Sequence, residues 1–290
     1  MVAGGLLFVA VTVLVRLLGS DMPAVQAAFI RYLIGVMLLL PIVWRMRTRQ
    51  FGFHGRSLPR YMLRGLVHGV AVMLWFYAMA RIPLSEVTAI GFSTPVFTAL
   101  GAILIFHEQV KGRRLLAIAA GFIGTLIILR PGFNSISTGS LSQLIAALFF
   151  AGSFLLAKRM TQNESSADIL VMLSVFCTLA LLPGAIYFWR EPTLLEVAWL
   201  ALVAVFATVG HYAITRAIAA APLTVTQPLS FLQLIWAIAI GYWMFDEVPD
   251  NWVIVGALII VVAVTYLTHR EALAARRSRL LAASTPVSPG

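Results

Sequence analysis

The chain has a single cysteine, Cys177, among 290 residues, which excludes an internal disulfide and a cysteine-based metal cluster. Charge is also scarce. Charged residues make up 11% of the chain, against roughly 25% in soluble domains, and 61% of the residues are hydrophobic. No soluble fold could hide so much apolar surface. Acids are the rarest class, with 11 Asp and Glu against 21 Lys and Arg, for a net charge of +10. That excess does not point to nucleic acid, because the basic residues fall in short bursts between long apolar runs and form no continuous stripe with exposed aromatics. From Val2 onward the chain is apolar, with no basic leader and no small-residue cleavage site, so the first run is expected to be a span and not a signal peptide.

What the sequence does have is long apolar runs. A helix crossing the roughly 30 Å hydrocarbon core needs about 20 mainly apolar residues. Runs of that kind cover approximately 2–19, 24–44, 61–80, 86–106, 114–130, 140–157, 168–189, 194–214, 223–245 and 251–269. Turn or charge signals separate them, among them Asp21-Met22-Pro23, Arg81-Ile82-Pro83, Arg130-Pro131-Gly132, Arg190-Glu191-Pro192 and Glu247-Val248-Pro249-Asp250. The expected fold is therefore all-α and integral to the membrane, with ten transmembrane helices. The tail at 271–290 is first basic and then rich in Ser, Pro and Gly, and its end is expected to be disordered.

Basic residues orient these spans. If both termini are cytoplasmic, the even-numbered connections and the tail hold 16 of the 21 Lys and Arg residues, and the opposite side keeps Arg16, Arg31, Arg81, Arg130 and Arg190. This is the positive-inside bias, and it favours an even number of crossings independently of hydropathy. Arg16 and Arg31 lie near helix ends, from which both are expected to snorkel to the interface.

The two halves resemble each other. A shift of 139 residues brings Pro83-Leu84 onto Pro222-Leu223, Phe92 onto Phe231, Phe106 onto Phe245 and Glu108 onto Glu247. Just upstream, a shift of 135 brings Tyr77-Ala78 onto Tyr212-Ala213 and Arg81 onto Arg216. A five-helix unit repeated in one chain must be inverted, since an odd number of crossings reverses the starting side. Inverted repeats are an architecture of alternating-access carriers. The expected units are 1–132 and 139–270, enclosing a central cavity.

The boundary residues carry a family likeness. "RIPLSEVTAIGFSTPVFTALGAILIFHEQV" followed by "AGFIGTLIILRPG" resembles the first repeat of EamA-type transporters in the drug/metabolite transporter superfamily. "RAIAAAPLTVTQPLSFLQLIWAIAIGYWMFDEVPDNWVIVGALIIV" resembles the second. Within that family the chain is most similar to the bacterial group that includes S-adenosylmethionine and riboflavin carriers. The resemblance implies ten helices in two inverted repeats, a cavity lined mainly by helices 1, 3, 4, 6, 8 and 9, a small-molecule substrate and no cofactor. Leu234 stands where Pro95 would map, so a mid-helix break is expected in the first unit only.

Several residues could carry the chemistry. Pro95 cannot donate to the carbonyl of Gly91, which leaves either a simple kink or a cavity wall that bends, with Ser93, Thr94 and Thr98 around it. In the ninth run Thr226, Gln227, Ser230 and Gln233 share about a third of the helix circumference. Their amides must face protein or water, because in lipid they would stay unpaired. They serve either helix-to-helix hydrogen bonding or a solute. His68, Val72, Trp75 and Met79 share one face of the third helix, and Ala204, Thr208, His211 and Thr215 one face of the eighth. Trp75, Tyr77, Phe92, Phe231 and Trp236 are either stacking surfaces for a flat solute or core and interfacial aromatics. No Asp or Glu falls at a helix midpoint, so Glu86, His68 and His211 are the candidates for proton coupling; exchange or facilitated movement fits as well. Glu108 and Glu247 are expected to pair with basic residues or cap a neighbouring helix.

A carrier is thus favoured over a channel, which needs a filter loop or a ring of charges. It is also favoured over a membrane-embedded enzyme, for which no metal cluster, nucleophile–base pair or phosphate loop is visible. Gly- and Ala-rich stretches such as Ala117–Gly124 could pack within a monomer or between two.

Overall fold

A computed structural model describes residues 2–47, 58–106, 112–130, 136–160, 164, 166–220 and 232–284. The expectations placed on Glu108, Thr226, Gln227, Ser230 and Phe231 fall outside these residues. Among the described residues there are eleven helical segments and no strand. They are α1 (Val2–Leu18), α2 (Ala24–Arg47), α3 (Leu58–Met79), α4 (Leu84–Gly91), α5 (Ser93–Phe106), α6 (Gly112–Leu129), α7 (Thr138–Met160), α8 (Ser166–Tyr187), α9 (Leu194–Ala220), α10 (Leu232–Phe245) and α11 (Asn251–Ser284). Among the described residues six stretches are long and apolar enough to cross a bilayer, and Val2–Leu18, Ala24–Leu40, Leu115–Leu129 and Leu232–Phe245 are shorter apolar helices.

Helix ends follow local chemistry. α1 stops where Gly19 takes φ +76° and its N–H donates to Arg16 O at 3.1 Å, a left-handed helix stop that glycine adopts at little cost. α6 and α10 stop at Arg130 (φ 45°) and Asp246 (φ 53°), a conformation that costs an L-residue about 1–2 kcal/mol. The turn at Asp246 folds the next residue back, so that Glu247 N–H donates to Gly241 O at 3.1 Å. In the basic part of the tail α11 runs on to Ser284, because residues 271–284 are mostly Ala, Leu and Arg, all strong helix formers; the Ser, Pro and Gly-rich end lies outside the described residues.

One end of the bundle collects most of the acids, and its contacts fix the directions of the helices. Arg16 at the end of α1 pairs with Glu247 just past α10. Arg130 at the end of α6 pairs with Asp250 before α11. Gln26 in the first turn of α2 bonds to Arg190 beyond the end of α8. Ser140 in the first turn of α7 donates to Glu86 near the start of α4 at 2.5 Å. At this acidic end, then, α1 ends and α7 begins, α2 begins and α8 ends, and α6 ends and α11 begins. The start of α6 lies at the opposite, basic end.

Packing has the same pattern. α3 packs on α7 as α1 does on α9, α3 lies on α8 as α2 does on α9, and α4 and α5 pack on α7 as α10 does on α1. α2 pairs with α8 and α6 with α11. Exchanging α1–α6 for α7–α11 maps each of these pairings onto another or onto itself. Close approaches use glycine: Gly65 lies against the Phe176 backbone, and Gly4 lies beside Ile214 and Gly210. Gly121 seats Val96 of α5, and Gly124 faces Gly256 of α11, so this small-residue face packs within the chain.

The surface is apolar. Leu194, Trp243 and Tyr187 are 90%, 83% and 82% exposed, which in water would be an aggregation liability and in lipid is the expected outer face. Tyr187, Trp189, Tyr242, Trp243 and Trp252 all stand exposed at the ends of α8 and α10 or the start of α11, an aromatic belt at the acidic end.

Candidate solute-binding site

A chain of rings crosses the interior. His211 on α9 meets Phe8 of α1 edge-on at 4.8 Å, and Phe8 meets Trp75 of α3 at 6.4 Å. Trp75 packs against Phe150 of α7 at 6.0 Å, Phe150 against His68 at 5.1 Å, and His68 against Tyr32 of α2 at 6.3 Å. Five helices thus contribute to one arc, with centroid spacings in the range of favourable aromatic pairs. Trp75 is half-buried, while His211 is exposed although it lies within a span.

Polar groups hold the arc in place. His68 is 7% exposed and its Nδ1 lies 3.0 Å from Ser153 Oγ. One turn away, Arg64 donates from Nε to Ser153 O at 3.3 Å and from Nη1 to Ile169 O at 3.0 Å, tying α3 to α7 and α8. Cys177 donates its thiol to Gly65 O at 3.4 Å. Tyr61 donates to Glu164 Oε2 at 3.0 Å near the basic end.

Arg31 corrects an expectation. It does not snorkel. The residue is 9% exposed, and its guanidinium sits 4.0 Å from the centroid of the Tyr32 ring. It begins about 10 Å below the start of α2 at 1.5 Å per residue, and the side chain turns into the bundle because Arg31 and Tyr32 lie on the buried side of the helix. Arg16 does reach the end of its helix.

The remaining candidates are distributed differently. Tyr77 leaves the arc: its hydroxyl donates to Thr138 Oγ1 at 3.3 Å and Arg81 lies 3.7 Å over its ring. Trp236 is 38% exposed, and no ring contact to it is found among the described residues. Gln233 is half-buried with its Cβ facing Gly5 of α1. Phe92, also half-buried, marks the break between α4 and α5, where its N–H is shared between Thr88 O and Ala89 O, both at 3.2 Å. Pro95 falls in the first turn of α5, where a missing N–H costs least. Thr94 O accepts from Thr98 Oγ1 at 2.8 Å, but Ser93 Oγ lies 2.8 Å from Thr125 Oγ1 of α6 and so braces the break against a neighbour. Of the coupling candidates, His68 and His211 belong to the arc, whereas Glu86 is at the acidic end with Ser140.

That end is closed by a latch. Glu247 Oε1 accepts from Arg16 Nη2 at 3.0 Å, and Oε2 accepts from Leu84 N at 2.8 Å. Arg16 Nη1 also donates to Ile82 O at 3.3 Å. Pro83 provides no side-chain cap for α4, so Glu247 caps it from another helix, with the carboxylate at the positive helix end. It thus both pairs with a basic residue and caps a neighbour, and Gly241 leaves room for it. Two further ion pairs, Arg130–Asp250 and Arg190–Glu196, lie at the same end. The bonds from Glu196 raise the Arg190 guanidinium above its ordinary range.

The model of the EamA-like transporter family matches twice, over residues 1–130 and 137–268. The chain belongs to the EamA-like transporter family. It is a multi-pass membrane protein and a transporter, not an enzyme. Similar proteins include a riboflavin transporter of Vibrio cholerae serotype O1, 30% identical over 90% of this chain and 88% of that protein. An S-adenosylmethionine uptake transporter of Rickettsia prowazekii is 26% identical over 89% and 87% of the two chains. A pseudopaline exporter of Pseudomonas aeruginosa is 24% identical over 91% and 93%. A solved crystal structure covering 93% of this chain and 96% of its own superposes with a TM-score of 0.56 at 15% identity, a likeness of fold.

Sequence reasoning missed Phe8, Tyr32, Phe150 and Ser153. Nothing in the sequence separates Phe8 and Phe150 from the rest of the 18 phenylalanines. Arg64 did carry a signal, as a charge at the edge of an apolar run.

Proposed function

We propose that the protein is a secondary carrier that moves a small organic metabolite across the bacterial inner membrane by alternating access. It uses ten spans arranged as two inverted five-helix units, with both termini in the cytoplasm. The solute is of the amino acid, nucleoside-like or heterocyclic vitamin class. One observation carries this reading: the acidic end is latched through Glu247, Arg16 and Leu84, and the aromatic arc from five helices lies beyond that latch. A site closed at one end is what one half of an alternating cycle requires. The exchange-related helix pairings and opposed helix directions support the inverted units. The excess of basic residues at the other end supports its assignment to the cytoplasm.

The solute class rests on the arc. Trp75, Phe8, Phe150 and His211 offer rings to a flat molecule, and the sequence adds Phe92 and Phe231 as candidates in their respective units. Thr94 and Gln233 carry neutral hydrogen-bonding groups beside the break near Pro95 and on α10, and the sequence adds Gln227 and Ser230 as candidates on the ninth run. Curated relatives named for riboflavin and S-adenosylmethionine, both with flat heterocycles, favour the same class.

Counterflow decides the mechanism. Proteoliposomes loaded with unlabelled riboflavin or S-adenosylmethionine should take up the labelled solute faster than empty ones. Uptake that is indifferent to internal solute would indicate a channel and end the carrier reading.

A further inference from the structure

The interior holds two arginines and two histidines, and among the described residues no carboxylate pairs with either arginine. Arg64 is spoken for by the Ser153 and Ile169 carbonyls. Arg31 is different. Among the described residues its guanidinium meets Tyr32, through the ring and through the hydroxyl, and no carboxylate pairs with it. Arg31 stands at one end of the arc, beside the Tyr32 ring that packs against His68.

A guanidinium with no carboxylate beside it within a membrane span is costly, by about 2.5–3.5 kcal/mol on insertion scales. Its cation–π contact with Tyr32 offsets only part of this, about 0.5–2 kcal/mol. A guanidinium also presents a planar fork of donors matched to a carboxylate or phosphate. We propose that Arg31 is the anchor for an anionic oxygen group of the transported solute, a carboxylate or a phosphate, whose flat body lies against the Trp75–Phe8 portion of the arc. The inference rests on the carrier reading and narrows its substrate class to molecules bearing such a group. Arg64 positions the wall and leaves the recognition to Arg31.

Two matched pairs of probes test it: indole-3-acetate against indole-3-acetamide for the carboxylate, and riboflavin 5′-phosphate against riboflavin for the phosphate. Binding to the purified full-length protein is read by tryptophan fluorescence and thermal shift, in the wild type and in Arg31→Gln and Arg31→Lys. The wild type should hold one of the acids roughly ten- to hundred-fold more tightly than its neutral mate, the worth of a charge-assisted hydrogen bond. That gap should vanish in Arg31→Gln, and the pair showing it identifies the anion. A wild type that prefers neither acid, or an Arg31→Gln variant that keeps the preference, overturns the proposal. If Arg31→Gln does not insert, Arg31→Lys decides. Weakened binding of the acid with the neutral mate unchanged supports the fork geometry, and unchanged binding of both refutes it. Counterflow with the same four compounds separates the two claims. Exchange without an acid preference defeats only the Arg31 anchor. Arg31-dependent binding without accelerated exchange defeats only the carrier.

Discussion

Gly124 and Gly256 bring the backbones of α6 and α11 into contact. A methyl built on Gly256 would lie 2.5 Å from Gly124 O, and one built on Gly124 would lie 2.7 Å from Gly256 O. Neither obstacle is a flexible side chain, so the crossing has to open to admit even one carbon. Small residues that let helices approach are a main source of association in lipid, where no hydrophobic drive acts between helices. Gly256→Ala should therefore destabilise the detergent-purified protein by about 1–3 kcal/mol, and Gly256→Leu by more. An unchanged melting temperature in both variants would show that the crossing is loose.

The Gln26 amide and the Arg190 peptide group form a reciprocal pair, with Nε2 donating to Arg190 O at 2.6 Å and Arg190 N donating to Oε1 at 3.2 Å. Gln26 is fully buried. Gln26→Leu removes both bonds and leaves two backbone groups without partners, at about 1–3 kcal/mol each. Thermal unfolding should show that loss. Gln26→Glu keeps the acceptor and should fall between leucine and the wild type; if Gln26→Glu is the worse of the two, charge burial outweighs the pair.

Loss of the latch should expose the acidic end. Ile82 is 3% exposed beneath the Arg16–Glu247 pair. With cysteine at Ile82, a membrane-impermeant maleimide should react several-fold faster when Glu247→Ala is added. Glu247→Gln, which can still cap Leu84, should give an intermediate rate. Equal labelling in all three would mean that the latch does not close this side.

Trp75 and Trp236 provide an internal control for the arc. Trp75 touches Phe8, Phe76 and Phe150, whereas Trp236 stands 38% exposed outside it. Trp75→Ala should reduce transport by roughly ten-fold or more, given about 1–3 kcal/mol for one stacked ring, while the protein still inserts. Trp236→Ala should transport nearly as the wild type does. Reversal of that order would move the site to α10.

Much of the fold could be read in the sequence because lipid imposes a length rule on every span, and turn residues mark the ends. Gly19, Pro23, Pro83 and Arg130 fall where helices start or stop. The site was less legible. Distance from a helix end told that Arg31 could reach the interface, but the sequence does not say which face of α2 is buried, and the buried face decided its course. Tyr77 shows the same gap: two residues from Trp75, it turns to Thr138 instead of the arc. Phe8 and Phe150 meet Trp75 from helices distant in sequence, and no local pattern encodes that meeting. Glu247 was readable because a carboxylate at a helix exit has few partners to choose from.

One carboxyl group fastens the last turn of α1, the first turn of α4 and the end of α10. Arg16 and Leu84 hold different oxygens of that carboxylate, so one can let go while the other stays bound. The dwell times of that end in its shut state should therefore need more than one exponential, and Glu247→Gln should shorten the component set by Arg16.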